Sequence, residues 1–557
     1  MPNLPKLANP FSGGPSILTN PFRQPAHPPP RQKNDTYGEA SWWADWKWLV
    51  PFSSTLTLDE DRLLLPPLRE RPPIYCYYDT TIKKEAEAKA AESELLLTWR
   101  RAWWAKGFKP VILGAAEAMN NPLYEKLQRI EMDQSLKIDV MRWLAWENMG
   151  GGLMAQYTLL PMGAYDDPLL VFLRRGDYPN LTTWTDINNG LFAGPKIAVT
   201  EAVKNVMSAP GEKLRESKDF LSAAPDGTFQ PDSVPKALAY YDLNTVEKKY
   251  TKVGDLLASD RAAGLSALAK LINAHLHTTW QNVFQDGIAV LKPKPDHTTH
   301  LVSDAWELAQ ALSSCLDSPI QVSCPPNMPK CSPCDPSKET NVKLTTPEHY
   351  HNSSGLFTIG TVPHPYTLAM LDNVQESLTI RWIRREMRKR DPWVTSITTE
   401  LLGTEVGSAR RVMRFKEAVV GEFATSHCLW LTAEKEPPSD LPWRFGFQIP
   451  HFNHTSSGRP QPPFGASKHT PTQSELETEK GLLMKAVKIG GSKEPETVDV
   501  RMAMEAWNLA DIEAWKFARA WLARSTVERM EWEKEESRYT HGAGSEEGER
   551  SWSRWHF

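Results

Sequence analysis

Two short apolar segments on either side of a helical segment constrain the fold of this 557-residue chain more than any other feature. The run Ile74–Tyr78 is rich in residues that favour β-structure and predicts a buried strand. Residues 83–106 contain no Pro or Gly and predict a helix that ends at Gly107. A second strand is predicted at Lys109–Leu113. This strand–helix–strand order is typical of a parallel βαβ unit.

A second unit of the same kind follows. A helix is predicted over Asp139–Asn148, a break at Gly150–Gly152 and an apolar strand over Leu153–Leu160. Further helices are predicted at 262–275, 305–312, 378–390 and 499–535, with a strand at 356–360. The pattern as a whole predicts an α/β protein with a sheet flanked by helices.

Changes in composition divide the chain into regions. They are a disordered Pro-rich N-terminal region with a Trp-rich docking segment at Ser41–Trp48 (1–70), an α/β domain (71–312), a Cys/Pro-rich stapled segment (313–345), a continuation of the α/β domain with a basic helix (346–432), a long loop (433–480), a helical C-terminal extension (481–540) and a disordered tail (541–557).

Charge and hydropathy exclude two classes of partner. The formal net charge of −4 argues against broad attraction to nucleic acid or anionic membrane. No apolar run approaches the roughly 20 residues that span a bilayer, so no transmembrane segment is predicted. The first residues lack the apolar stretch of a signal peptide, so none is predicted. Sequons occur at Asn34, Asn180, Asn352 and Asn453, and tripeptides of this kind also arise by chance.

One stretch carries the most specific pattern in the sequence. Asp139 and Arg142 form a D-x-x-R helix motif, and Gly151-Gly152 is followed by the strand that leads to Gln156-Tyr157-Thr158. This stretch resembles the core of GT-A glycosyltransferases, in which a D-x-x-R helix precedes a G-G-x-x-x-D-x-D strand. The resemblance implies a Rossmann-like mixed sheet, a nucleotide-sugar donor and an acceptor of unknown identity. The whole chain, with its Trp-rich arrangement of segments, also resembles an uncharacterised family of fungal proteins.

The resemblance implies roles for individual residues. Asp139 and Arg142 hold the donor, the glycine pair lets the backbone approach it, and Gln156 and Thr158 stand where the two metal-binding acids are expected. Asp79 ends the first strand, which abuts the nucleobase in the family. Asn189 and Gly190 belong to a segment near the acceptor. The same residues also fit an unrelated α/β domain, in which the glycines only end a helix and Arg142 pairs with Asp139 on the surface.

The replacement of both acids bears on the chemistry. Divalent metals prefer anionic oxygens, whereas Gln156 and Thr158 offer neutral ones, so no metal is predicted at this position. Three outcomes fit: binding without turnover, cations in place of metal, or a metal held by other acids.

Each substitute for the missing acids has a candidate in the sequence. The candidate acids are Asp166 and Asp167, which also fit a turn that opens a helix. The candidate cations are Arg381 and Arg385 on the basic helix, and Arg174 and Arg175; a solvated or ion-paired surface explains these arginines equally simply.

Four of the six cysteines lie in one Pro-rich segment: Cys315, Cys324, Cys331 and Cys334. They fit either a structural zinc site or two disulfides in one of three pairings. Disulfides are favoured because the resembled enzymes work in the Golgi lumen, although a cytoplasmic location stays open. Cys76 and Cys428 are predicted to be buried thiols. His364 fits a late metal ligand of the resembled fold or a structural loop residue.

These observations predict a glycosyltransferase-like protein that binds a nucleotide-sugar, with metal-independent or lost transferase activity. The alternative is a non-catalytic binding or scaffold protein on the same fold. No catalytic residue can be named from the sequence.

Overall fold

The computed structural model describes residues 25–30, 65–233, 236–291, 303–338, 341–347, 353–362, 409–420, 427–432, 440–449 and 491–546, except for a few single positions. Its strands are β1 (Pro73–Tyr77), β2 (Lys109–Leu113), β3 (Gly151–Ala155), β4 (Leu159–Pro161), β5 (Thr182–Trp184), β6 (Leu191–Pro195), β7 (Gln230–Asp232), β8 (Leu238–Tyr240), β9 (Gly287–Val290), β10 (Leu344–Thr345), β11 (Leu356–Val362) and β12 (Cys428–Thr432).

Its helices are α1 (Ala86–Ala105), α2 (Ala115–Met119), α3 (Tyr124–Gln128), α4 (Gln134–Asn148), α5 (Pro168–Arg174), α6 (Lys196–Val206), α7 (Gly211–Glu216), α8 (Phe220–Ala223), α9 (Leu243–Lys249), α10 (Thr251–Ser259), α11 (Arg261–Val283), α12 (Ser303–Ser313), α13 (Ala409–Val420), α14 (Leu441–Phe445) and α15 (Pro495–Glu536). None of these helices, within the part of the chain that is described, is long and apolar enough to cross a bilayer.

The main sheet has six strands in the order β2-β1-β3-β6-β5-β7. Strands β1, β2 and β3 are parallel, and β6 is antiparallel to both β3 and β5. A second sheet of four parallel strands has the order β10-β9-β11-β12, and β4 pairs with β8 in a separate ribbon. The protein is therefore α/β with a mixed sheet flanked by helices, as the sequence predicts.

Helices α1 and α4 cover opposite faces of the main sheet because each carries a tryptophan-rich apolar side. Trp99 and Trp103 of α1 lie in the core with Ile74 of β1, and the indole N–H of Trp103 donates to the Leu159 carbonyl at 3.1 Å. Trp143 of α4 belongs to the core on the other face. Burial of side chains of this size is a major source of stability.

The continuous strand predicted over Leu153–Leu160 is interrupted. The chain turns at residues 156–158, where the Leu159 amide donates to the Gln156 carbonyl at 3.0 Å. As a result β3 lies in the main sheet and β4 in the ribbon with β8. The polar residues Gln156 and Thr158 therefore lie in a turn at the edge of the main sheet.

The predictions of disorder at both ends do not hold for residues 25–30 and 541–546. His27 is buried, and both of its ring nitrogens lie within hydrogen-bonding distance of carboxylates of Glu117 and Glu536. The Gly544 carbonyl accepts from Arg100 at 2.8 Å. These contacts join distant parts of the chain, so local composition does not reveal them.

Candidate functional site

The region at the carboxyl ends of β1 and β3, here called the crevice, is the position where the topology of the main sheet favours a ligand site. The connection from β1 to β2 runs through α1 on one face, and the connection from β2 to β3 runs through α4 on the other. The direction of winding thus reverses at β1. In open α/β sheets, ligands bind outside the carboxyl ends of the strands at such a reversal.

Two of the predicted site segments meet at this edge. The amide of Gln156 donates to the Gly190 carbonyl at 2.9 Å, so the turn after β3 lies directly against the segment that precedes β6. The ring of Tyr157 contacts Tyr78 edge-to-face at a centroid distance of 6.5 Å. Asp79 follows Tyr78, and one of its carboxylate oxygens accepts from the amide of Thr81 at 2.8 Å.

Backbone conformation explains the residue types at positions 188–190. Asn188 and Asn189 have φ of 46° and 57°, a left-handed region that Asn tolerates better than most residues. Thr183 donates to the side-chain oxygen of Asn189 at 2.9 Å, and Asn188 donates to Asp242 at 2.7 Å. Asn189 and Gly190 are therefore held rigidly beside Gln156.

Asp139 and Arg142 form an ion pair of 2.8 Å on α4, with side chains 16% and 14% exposed. The second oxygen of Asp139 accepts from the Phe220 amide at 2.8 Å, which fixes the carboxylate. The Arg142 guanidinium lies 5.6 Å from the ring centroid of Phe192. Its Nε atom is buried and has no hydrogen-bond partner among the described residues. The pair is thus mostly buried beside the sheet instead of lying on the surface.

The glycine pair lies at the other end of β3 from Gln156. Gly151 and Gly152 have φ of 79° and 100°. A Cβ atom on Gly151 would lie 2.6 Å from the Gly194 carbonyl oxygen, so this glycine permits the close pairing of β3 with β6. The pair therefore lies away from the crevice, and the role that the family resemblance implies for it, backbone approach to a ligand, stays a prediction.

A charged cluster beside the crevice is the functional feature that the sequence analysis missed. Glu92 on α1 is fully buried and accepts hydrogen bonds from Tyr78 at 2.7 Å, from Arg261 at 3.1 Å and from Lys84. Burial alone would raise the pKa of Glu92, but the hydrogen bonds from Lys84, Tyr78 and Arg261 lower it below its ordinary value. The sequence did contain a signal for this cluster, because Glu92 is a carboxylate among the apolar positions on the inner face of α1.

The turn after β3 offers no acidic side chain to a divalent metal. Gln156 and Thr158 supply neutral oxygens, and the nearby carboxylate of Asp139 is occupied by Arg142 and a backbone amide. Within the described residues, no group of three or more His, Cys, Asp or Glu side chains is arranged to hold a metal ion.

The other predicted site residues lie away from the crevice or outside the described residues. Asp167 caps α5 by accepting from the Leu169 amide at 2.9 Å, so Asp166-Asp167 opens a helix. Arg174 donates to the carbonyls of Lys106 and Tyr165, which gives it a structural role. Arg175 is exposed directly after α5. Three predicted residues lie outside the described residues: His364, Arg381 and Arg385.

The cysteine cluster forms two nested disulfides. Cys315 pairs with Cys334, and Cys324 pairs with Cys331, whereas Cys76 and Cys428 are buried free thiols as predicted. The bonded segment is anchored to the helices beside it, because Tyr250 donates to the Cys324 carbonyl at 2.7 Å. The cysteines are therefore structural.

A small cavity of about 60 Å³ lies on the α1 side of the fold, away from the crevice. Its lining includes Lys106, Tyr165 and Trp280. Burial, together with the neighbouring Arg174, lowers the pKa of Lys106 to about 8. The volume admits a few water molecules.

The fold and the crevice define an α/β protein with a mixed sheet and a polar site at its topological reversal. The model of a family described as "Domain of unknown function (DUF8765)" matches residues 36–556. The chain belongs to this family. No curated protein and no solved structure matches it.

Proposed function

We propose that this protein binds a nucleotide-sugar in the crevice at the carboxyl ends of β1 and β3, with transferase activity that is metal-independent or lost. The fold proposed is of the GT-A type. One observation carries the proposal: the turn at Gln156 lies against Gly190 at the point where the winding of the sheet reverses. Gln156 and Thr158, which stand where the motif has its two acids, thus lie where sheet topology favours a ligand, while the glycine pair lies at the other end of β3.

Two buried polar atoms support a ligand in this region. The Tyr77 hydroxyl and the Arg142 Nε atom are buried, and neither has a hydrogen-bond partner among the described residues. Buried polar groups are nearly always paired, so a water or a ligand can supply the partner here; unpaired buried atoms also occur elsewhere among the described residues, for example the indole nitrogens of Trp99 and Trp306. Arg142 is also close enough to lower the pKa of Cys76, which burial raises to about 12.

Cations take the place of the metal in this proposal. A diphosphate needs opposing positive charge, and the crevice offers Arg142, Lys84 and Arg261. Arg261 is 64% exposed and uses only part of its guanidinium to bind Glu92, so it retains donors for a phosphate. If transfer occurs, the same cations stabilise the negative charge that develops on the departing diphosphate.

The second candidate function is a non-catalytic binding or scaffold protein. The charge balance of the crevice favours it, because Asp139 neutralises Arg142 and Glu92 offsets Lys84 and Arg261. Little excess positive charge then remains for a leaving group. The Ser41–Trp48 segment, a candidate for partner binding, lies outside the described residues.

Calorimetric titration of the full chain with a panel of UDP- and GDP-sugars, with and without Mn²⁺, tests the proposal. We expect binding that does not depend on Mn²⁺ and that Arg142→Ala weakens at least tenfold, because the guanidinium contacts the donor. Arg129→Ala is the matched control, since Arg129 is 81% exposed and, among the described residues, its one ion pair is with Glu125 on the surface. Failure of every nucleotide-sugar to bind the folded protein would rule out the proposal. Binding with no sugar release for any acceptor would favour the non-catalytic alternative.

A further inference from the structure

We propose that Asn180 is a site of N-linked glycosylation. The sequon Asn180-Leu181-Thr182 lies in the loop between α5 and β5. Sequence alone gives this tripeptide little weight. Two features of the structure change that: the disulfides and the way the loop presents the asparagine.

The disulfides indicate the compartment in which the chain folds. Both pairs, Cys315–Cys334 and Cys324–Cys331, lie in one surface segment. Structural disulfides form and persist in oxidising compartments, chiefly the endoplasmic reticulum and the secretory route. N-glycosylation takes place in that same compartment, on surface sequons of the chains that pass through it. The disulfides therefore place the folding of the chain where the glycosylating enzyme acts, even though no signal peptide is predicted from its first residues.

The loop holds the sequon with its asparagine outward. Asn180 is exposed, while Leu181 is 5% exposed and belongs to the core beneath the sheet. On the other side, Tyr178 is buried, and its hydroxyl donates to the Leu173 carbonyl at 2.5 Å. The two buried neighbours fix the loop at both ends. The hydroxyl of Thr182, the third sequon residue, lies 3.4 Å from the Asn180 carbonyl oxygen.

A glycan at this position is compatible with the rest of the fold. Thr182 pairs with Ala193 of β6, and Ala193 pairs with Leu153 of β3. Asn180 is two residues before Thr182, toward the amino end of β3 and away from Gln156. A glycan attached there would extend from the edge of the sheet opposite the crevice, so it would leave the crevice open.

The chemistry is the ordinary transfer from a lipid-linked oligosaccharide diphosphate. The amide nitrogen of Asn180 loses a proton and forms a bond to the anomeric carbon of the sugar. The bond between that carbon and the lipid diphosphate breaks, and the lipid diphosphate leaves with the electron pair. The hydroxyl of Thr182 is the recognition element of the sequon.

The test is peptide mass spectrometry on the tagged full chain isolated from its own host cells. Treatment with an amidase that removes N-glycans, in water labelled with ¹⁸O, should convert Asn180 into Asp carrying ¹⁸O. Thr182→Ala should abolish the label at Asn180, whereas Thr182→Ser, which keeps a sequon hydroxyl, should retain it. Localisation to the peptide separates Asn180 from the other sequons. A peptide with unmodified Asn180 from the wild-type chain, or a label that persists in Thr182→Ala, would overturn the proposal.

Discussion

At the scale of single residues, the decisive positions are Gln156 and Thr158. The backbone of both residues is held by hydrogen bonds. The Gln156 amide donates to the Gly190 carbonyl, and the Thr158 carbonyl accepts from the Tyr241 amide at 3.0 Å. The backbone of the turn is thus determined by hydrogen bonds that do not involve the two side chains. The change from acids to neutral side chains therefore alters the chemistry of the crevice without altering its construction.

This separation predicts that the metal site can be restored. The double variant Gln156→Asp, Thr158→Asp should gain Mn²⁺-dependent binding of a nucleotide-sugar, because two carboxylates in one turn provide anionic oxygens. Calorimetry with and without Mn²⁺ measures the gain. The variant Gln156→Asn, Thr158→Asn is the control, since it has side chains of the same size without charge. A folded Asp variant that binds no more Mn²⁺ than the Asn variant would contradict the match of Gln156 and Thr158 to the two acids of the glycosyltransferase motif.

At the scale of elements, the N-terminal segment 25–30 is held by α2 and α15. His27 lies 2.7 Å from a carboxylate oxygen of Glu117 and 3.0 Å from one of Glu536, and its ring stacks on Tyr539 at 3.8 Å. Burial by itself lowers the pKa of His27, but the two carboxylates outweigh it and raise the pKa to about 9. The protonated histidine therefore ties the two ends of the chain together.

The raised pKa predicts how stability depends on pH. A histidine whose folded pKa exceeds its ordinary value of 6.5 stabilises the fold fully below pH 6.5. That contribution declines as pH rises and is lost near pH 9. His27→Gln should therefore lower the free energy of unfolding most at low pH, by at most about 3 kcal/mol. Urea denaturation at several pH values measures the difference between the two proteins.

Pro28→Ala is the control for this measurement, because Pro28 is exposed and carries no ionisable group. Its effect on the free energy of unfolding should not vary with pH. The free energy of unfolding of wild type and His27→Gln would be compared below pH 6.5 and near pH 9. A difference that is equally large at both pH values would show that His27 is not charged in the folded protein.

The Cys-rich segment makes a second prediction at this scale. The native protein should contain no zinc. Under denaturing, non-reducing conditions the chain should present two reactive thiols, Cys76 and Cys428. Loss of the Cys315–Cys334 bond, which closes a loop of 19 residues, should destabilise the protein by about 3 kcal/mol. A thiol count with elemental analysis distinguishes two disulfides from a structural zinc site. Six reactive thiols together with one bound zinc would contradict the disulfides.

At the scale of the whole molecule, the helices and strands that could be predicted from the sequence are those that a local pattern of residues determines. The helix α1 and the strands β1 and β2 follow from apolar periodicity and from the glycine at position 107. Of the second sheet, only β11 was predicted, as a strand at 356–360; its partners β9, β10 and β12 lie far from one another along the chain. Pairing between distant segments leaves no local signal.

The candidate site shows the same division. Asp79 could be placed at a strand end from the sequence, since it directly follows an apolar run, whereas Gln156 was predicted inside the strand Leu153–Leu160 and only the structure places it in a turn. The hydrogen bond between Arg261 and Glu92 joins residues 169 positions apart, and the contact of His27 with Glu536 spans 509 positions. Only the folded chain brings such residues together, so the charged side of the crevice was not predictable.

Hydrogen exchange of the full chain, measured by mass spectrometry with each UDP- and GDP-sugar in turn, tests the central claim most directly. A nucleotide-sugar in the crevice should slow amide exchange in residues 77–84, 155–159 and 187–190, because these segments line the carboxyl ends of β1 and β3. Residues 276–284, which border the small cavity on the α1 side, are the internal reference. We predict slower exchange in the three crevice segments and no change in the reference. Protection confined to the reference, or none with any nucleotide-sugar, would contradict the crevice as the binding site.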